Sequence, residues 1–242
     1  MQENAEILLN EFRARVEKKE LTRTKIENLF VDNSLDESDV LTVYDGLFLG
    51  LFTDFEQLLE ELFWGLLEGK ITINGYQINK IRKVTISPQS EINAVIAIDR
   101  LVRTHKLYFK GTGNREQGTE KCPNSFGDCY ILGGQRYLDW LPYDNTIKRA
   151  KIFFHNGIPF DNLDDDQKTY LGRYHKIRNA IAHKSPKSQA DFNKIIQNLP
   201  LLPSQKSPAG YLRSKPRGQQ TQYEIASAQL IQIALNLCRI NV

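Results

Sequence analysis

Arginine, asparagine and histidine side chains come close together in one short segment of this sequence, from Tyr174 to Lys184. A helix turns about 100° per residue, so Asn179 and His183 would share one face of a helix over this segment. Arg178 would lie about 140° from His183 around that helix, but its long side chain can bring the guanidinium back toward the same face. The opposite face is apolar and is formed by Ile177, Ala180 and Ile181. The spacing therefore predicts a helix that packs on one side and offers Arg178, Asn179 and His183 on the other.

These three groups suit the cleavage of a phosphodiester bond without a metal. An imidazole can take a proton from a ribose 2′-hydroxyl or give one to a leaving oxygen. A guanidinium binds phosphate and stabilises the charge that develops on its oxygens, and an amide orients water, ribose or the imidazole. One helix supplies only one histidine for two proton transfers, so we expect a symmetric dimer to complete the site.

The hexapeptide Arg178-Asn179-Ala180-Ile181-Ala182-His183 resembles the Arg-x4–6-His motif of HEPN domains, in which a polar residue commonly follows the arginine. It closes a long predicted helix before Ser185-Pro186, and a strong earlier helix carries Asp54-Phe55-Glu56. This order is similar to that of the HEPN helical bundle, and of the RiboL-PSP-like and related defence-associated groups in particular. The resemblance covers residues 40–69 and 135–240.

The resemblance implies a metal-independent endoribonuclease that acts as a homodimer and leaves a 2′,3′-cyclic phosphate, in the role of a toxin or an anti-phage defence effector. It makes Arg178 and His183 catalytic and Asn179 supporting, with an antitoxin or other regulatory protein as a further partner. Some HEPN toxins carry a tyrosine two residues after the histidine, where this chain has Ser185, so a modification chemistry that needs this tyrosine is not expected. Two alternatives stay open: a non-catalytic HEPN-type module that binds a nucleotide or protein, and a helical adaptor that uses the Phe-rich segment 47–67.

Charge is divided unevenly along the chain, although the formal net charge is only +3. Residues 26–69 contain 11 acidic side chains and no Lys or Arg, whereas residues 171–217 contain 10 Lys and Arg and a single acid, Asp191. Two solvated faces of opposite sign could pack beside each other, or the basic block could meet a polyanion. On the second interpretation the candidate RNA-binding residues are His175, Lys176, Lys184, Arg213, Lys215 and Arg217. Glu56 is either a solvated acid or a supporting residue that orients Arg178 or Lys184, and Tyr211 is a candidate for base stacking.

The surrounding pattern predicts a mainly α protein, a HEPN-like helical bundle with a small β-containing insertion. Apolar residues at helical spacing predict helices over residues 3–31, 40–67, 90–103, 167–183, 192–199 and 223–240. Alternation around Asn74-Gly75 predicts a hairpin or strand pair, and the Pro/Ser/Gln/Gly-rich segment 201–220 predicts a loop. We expect one domain over residues 1–242, with residues 70–134 inserted into the bundle.

Several other classes of protein are disfavoured. Three cysteines, an odd number, do not suggest a secreted disulfide framework. Cys122 and Cys129 could form half of a zinc site, but no second pair follows, so we expect neither metal nor cofactor. Acidic residues interrupt both the N-terminus and the most apolar stretch, 46–67. We therefore expect no signal peptide, no membrane partner and a cytoplasmic location.

Overall fold

The computed structural model describes residues 2–80, 140–215 and 218–239, without the side chain of Ile152. The predicted helix 90–103, most of the predicted insertion, Cys122, Cys129 and Arg217 lie outside these residues. The described part is mainly helical with a small β element, which confirms the predicted mainly α class. Its helices are α1 (Glu6–Val31), α2 (Glu37–Glu68), α3 (Tyr143–Phe153), α4 (Asp165–His183), α5 (Pro186–Ile196), α6 (Pro208–Arg213) and α7 (Gln222–Cys238).

Helix α2 is the centre of the core. The Asp36 side chain caps its first turn by accepting a hydrogen bond from the Asp39 amide at 3.0 Å, and Gly69, with φ +76°, ends it in the left-handed region that glycine adopts without strain. Between these signals, phenylalanines and leucines at three- and four-residue spacing are fully buried. Helices α1, α4, α6 and α7 all pack against α2, so it is the element from which the rest of the bundle is positioned.

The small β element joins the N-terminus to the segment that follows α2. Strand β1 (Glu3–Asn4) pairs in parallel with β2 (Ile71–Thr72), with Glu3 opposite Ile71. Directly after β2, Ile73 and Tyr76 form an antiparallel bridge around Asn74 and Gly75. Both turn residues have positive φ, as a type I′ turn requires, which confirms the turn that the Asn-Gly pair predicts.

Two predicted boundaries are wrong for local reasons. Helix α5 begins at Pro186 rather than at residue 192, because Ser185 caps it by accepting from the Ser188 amide at 3.2 Å and Pro186 occupies the first helical position. Residues 201–220 are not one loop, because Ser207 caps α6 in the same way. Tyr211 of α6 is 1% exposed, so the prediction that it stacks on a base is wrong.

In the part of the chain that the structure describes, no helix combines the length and apolarity needed to cross a membrane.

Candidate functional site

Helix α4 holds the polar motif at its C-terminal end. Its first turn is fixed by a capping box, in which Asp164 accepts from the Gln167 amide at 2.7 Å and Gln167 accepts from the Asp164 amide at 3.3 Å. The predicted apolar face is buried, and it includes Leu171, Tyr174, Ile177, Ala180 and Ile181. Because this face fixes the rotation of the helix, the polar residues of the motif are left at its outer side.

A chain of polar contacts links Arg178 to two neighbours. Its Nη1 donates a hydrogen bond to Oδ1 of Asn179 at 3.1 Å, and its Nη2 lies 4.0 Å from Oε2 of Glu56 on α2. The Arg178 and Glu56 side chains are both about one-third exposed, at 31% and 27%. Glu56 therefore lies beside Arg178, as one of the two interpretations of the sequence has it, and it leaves part of the guanidinium open to a ligand.

Asn179 also contacts His175, one helical turn earlier. Its Nδ2 lies 3.2 Å from Nε2 of His175. The His175 ring is half-buried and stacks on Phe52 of α2, with ring centroids 6.4 Å apart and planes 18° apart. The sequence predicted that His175 is an outward-facing positive residue rather than a partner of Asn179, although their four-residue spacing on a helix was a signal for this contact.

His183 differs from Arg178 and Asn179 in its surroundings. It is the last residue of α4, it is exposed, and its imidazole has no hydrogen-bond or ionic partner among the described residues. It lies about 7.5 Å along the helix axis from Arg178, which leans toward α2. Helix α4 thus brings Arg178 and Asn179 together and leaves His183 one turn further on, open to solvent.

The predicted RNA-binding residues fall into different groups. Lys176, Lys184 and Lys215 are exposed. Arg213 instead forms a double hydrogen bond with Glu27 of α1, at 3.0 and 3.1 Å, and its guanidinium lies 4.3 Å from the centroid of the Phe30 ring. Two donor atoms of this guanidinium are therefore used within the fold, and its side chain is 21% exposed, so less of it is available to a ligand than of the three lysines.

The acidic and basic blocks of the sequence meet in the structure. Glu27 binds Arg213, and Glu56 lies beside Arg178. Burial raises the pKa of Asp45 on α2, and the positive charge of Lys184 opposes this rise. The two blocks therefore pack against each other in part, while Lys176, Lys184 and Lys215 stay exposed to an outside partner.

The described residues contain no group of three or more His, Cys, Asp and Glu side chains that could hold a metal ion. No family model, no curated protein and no solved structure matches the chain.

Proposed function

We propose that this protein is an endoribonuclease of the HEPN type that cleaves RNA without a metal. The observation that carries the proposal is the end of α4, where the partly exposed Arg178 contacts Asn179 and Glu56, and the exposed His183 lies about one turn further along the helix. Such an arrangement offers a phosphate-binding guanidinium and a proton-transfer group at the same edge of the molecule.

In the proposed reaction the ribose 2′-hydroxyl is the nucleophile. His183 accepts its proton while the 2′-oxygen attacks the adjacent phosphorus and the bond from phosphorus to the 5′-oxygen breaks. Arg178 binds the non-bridging oxygens, on which negative charge develops, and Asn179 holds the guanidinium by accepting its hydrogen bond. The products are a 2′,3′-cyclic phosphate and a free 5′-hydroxyl.

The leaving 5′-oxygen needs a proton, and the described residues give each α4 one exposed histidine. We assign this second transfer to His183 of a second copy of the chain, in a homodimer whose two α4 ends face each other. The exposed Lys176, Lys184 and Lys215 are assigned to the RNA backbone around the cleaved phosphate.

The test is RNA cleavage in the presence of EDTA. We expect the wild-type protein to cleave and to leave cyclic phosphate ends, and His183→Ala and Arg178→Ala to lose at least about a hundredfold in kcat, the scale of a lost general base or charge-stabilising group. His155→Ala and Arg239→Ala are controls: His155 is another exposed histidine, and Arg239 is an exposed arginine that donates hydrogen bonds to Glu6 at the surface.

Both controls should cleave at the wild-type rate. Full activity in either α4 variant, or cleavage that requires an added metal, would contradict the proposal. A growth assay addresses the proposed toxin or defence role, since expression of the wild-type chain should arrest growth and expression of His183→Ala should not.

A further inference from the structure

The contacts around Asn179 fix which way its side-chain amide faces. A guanidinium has only donors, so the group of Asn179 that meets Arg178 Nη1 at 3.1 Å must be the oxygen. The NH2 group must then face His175, where Nδ2 lies 3.2 Å from Nε2. This orientation follows from the hydrogen-bonding capacity of the two neighbours.

The orientation of Asn179 in turn fixes the state of His175. An amide NH2 group only donates, so Nε2 of His175 must accept and must carry no proton. The ring is then neutral with its proton on Nδ1. A side chain that could only donate at this position would turn the Asn179 amide around and place its NH2 group against the Arg178 guanidinium, donor against donor.

We infer that His175 is a positioning residue for Arg178, acting through Asn179, and that it serves this role as a hydrogen-bond acceptor. The ring is itself held by stacking on Phe52 of α2, so the packing of α2 against α4 sets the acceptor's place. As far as it concerns catalysis, this inference rests on the proposed ribonuclease function. It replaces the expectation that His175 contacts RNA as a surface charge.

Three substitutions separate the acceptor from the ring. His175→Gln keeps an acceptor oxygen at about the distance of Nε2 from the backbone, His175→Asn places its oxygen too close to the backbone, and His175→Phe keeps a ring against Phe52 without any acceptor. We expect kcat for RNA cleavage to fall about tenfold in His175→Phe and His175→Asn, as expected when one orienting hydrogen bond is lost. His175→Gln, which keeps an acceptor but loses the ring, should lose clearly less kcat than the other two variants, and KM should change little in all three, because the loss falls on the transition state.

His155→Phe, at an exposed histidine outside α4, is the control and should leave kcat unchanged. Wild-type kcat in His175→Phe, or a His175→Gln protein as slow as His175→Phe, would overturn the inference. Thermal unfolding of each variant shows whether a loss of activity is a loss of fold.

A second measurement needs no activity and no substitution. Long-range proton–nitrogen NMR spectra of the wild-type protein at mildly alkaline pH, where imidazoles are neutral, report which ring nitrogen of His175 carries the proton. A proton on Nδ1 supports the inference and a proton on Nε2 overturns it. If the wild-type protein cleaves no RNA, the proposed function fails, and these spectra still decide whether His175 accepts from Asn179.

Discussion

Arg178 and Arg213 belong to the same basic stretch of sequence, yet their guanidinium groups make different contacts. Arg213 meets Glu27 with two hydrogen bonds and covers the face of Phe30. Arg178 has one hydrogen bond to Asn179 and lies 4.0 Å from Glu56. A paired fork is geometrically specific and strong, whereas a longer contact at the surface contributes little to stability. We therefore assign Arg213 to the fold and Arg178 to the site.

Arg213→Ala should lower the free energy of unfolding by about 2 kcal/mol, the typical scale of a hydrogen bond between charged groups. The reason is that Glu27 would keep only the hydrogen bond that it accepts from Tyr44, at 2.8 Å. Arg178→Ala should cost less than about 1 kcal/mol, since its ion pair is long and partly exposed. Urea unfolding of both variants checks the difference, and an equal loss in the two would contradict the assignment.

The Glu27 carboxyl should also make the free energy of unfolding depend on pH. Burial alone would raise the pKa of this carboxyl, but the hydrogen bonds from Arg213 and Tyr44 outweigh it and hold the pKa below its usual value. A lowered pKa in the folded state means that the stabilisation is complete above the usual glutamate pKa of about 4.3 and is lost as the pH falls below it. Glu27→Gln should thus lose stability at neutral pH and show a weaker dependence on pH in the acid range, as measured by urea unfolding across a pH series. An unchanged acid dependence would exclude Glu27 as a contributor.

At the scale of the elements, the sequence predicts the helices in which apolar residues recur at helical spacing and form the buried face. The Phe and Leu spacing predicted α2 over residues 40–67, and the structure has it at Glu37–Glu68. The same reasoning placed Arg178, Asn179 and His183 on the outer side of α4, with Ile177, Ala180 and Ile181 buried opposite them. Helix α6 was missed because the Pro/Ser/Gln/Gly-rich composition of residues 201–220 predicted a loop, although Ser207-Pro208 also offers an N-cap followed by proline at the first helical position. Burial of Tyr211 and Leu212 in the tertiary structure stabilises this short helix.

The contacts that complete the site could not be predicted in this way. The stacking of His175 on Phe52 and the approach of Arg178 to Glu56 both depend on how α4 packs against α2, which is far away in sequence. Helical periodicity says which face of a helix is buried, but it does not say against which residues. The acidic and basic blocks indicated that these two regions could meet, but they left open whether Glu56 is solvated or lies beside Arg178 or Lys184.

The junction between α4 and α5 directly follows His183 and is formed by Lys184 and Ser185. Lys184 adopts the left-handed region, with φ +48°, and Ser185 then caps α5 through the Ser188 amide. Ser185→Ala should lower the free energy of unfolding by about 1 kcal/mol, the usual cost of a lost N-cap, whereas Ser185→Asp should keep the cap. Thermal or urea unfolding of the two variants is the measurement, and equal stability of Ser185→Ala and wild type would show that the cap contributes nothing here.

At the scale of the whole molecule, the small formal net charge does not show which positive side chains remain exposed. Part of the basic block is matched internally by Glu27 and Glu56, while Lys176, Lys184 and Lys215 remain exposed. A surface that binds RNA through such residues releases counterions, so its affinity falls with salt in proportion to the number of phosphates it meets. The exposed lysines, rather than the total of +3, should therefore decide how the protein responds to ionic strength.

This prediction is best tested with the His183→Ala protein, which should bind RNA without cleaving it. In a plot of the logarithm of affinity for single-stranded RNA against the logarithm of salt concentration, each of Lys176→Ala, Lys184→Ala and Lys215→Ala should reduce the slope by about 0.7, the value for one phosphate contact. Lys18→Ala, at an exposed lysine of α1, is the matched control, because it removes the same charge away from α4 and should leave the slope unchanged. If all four variants shift the slope equally, the binding depends on overall charge, and the assignment of these three lysines to the RNA backbone is wrong.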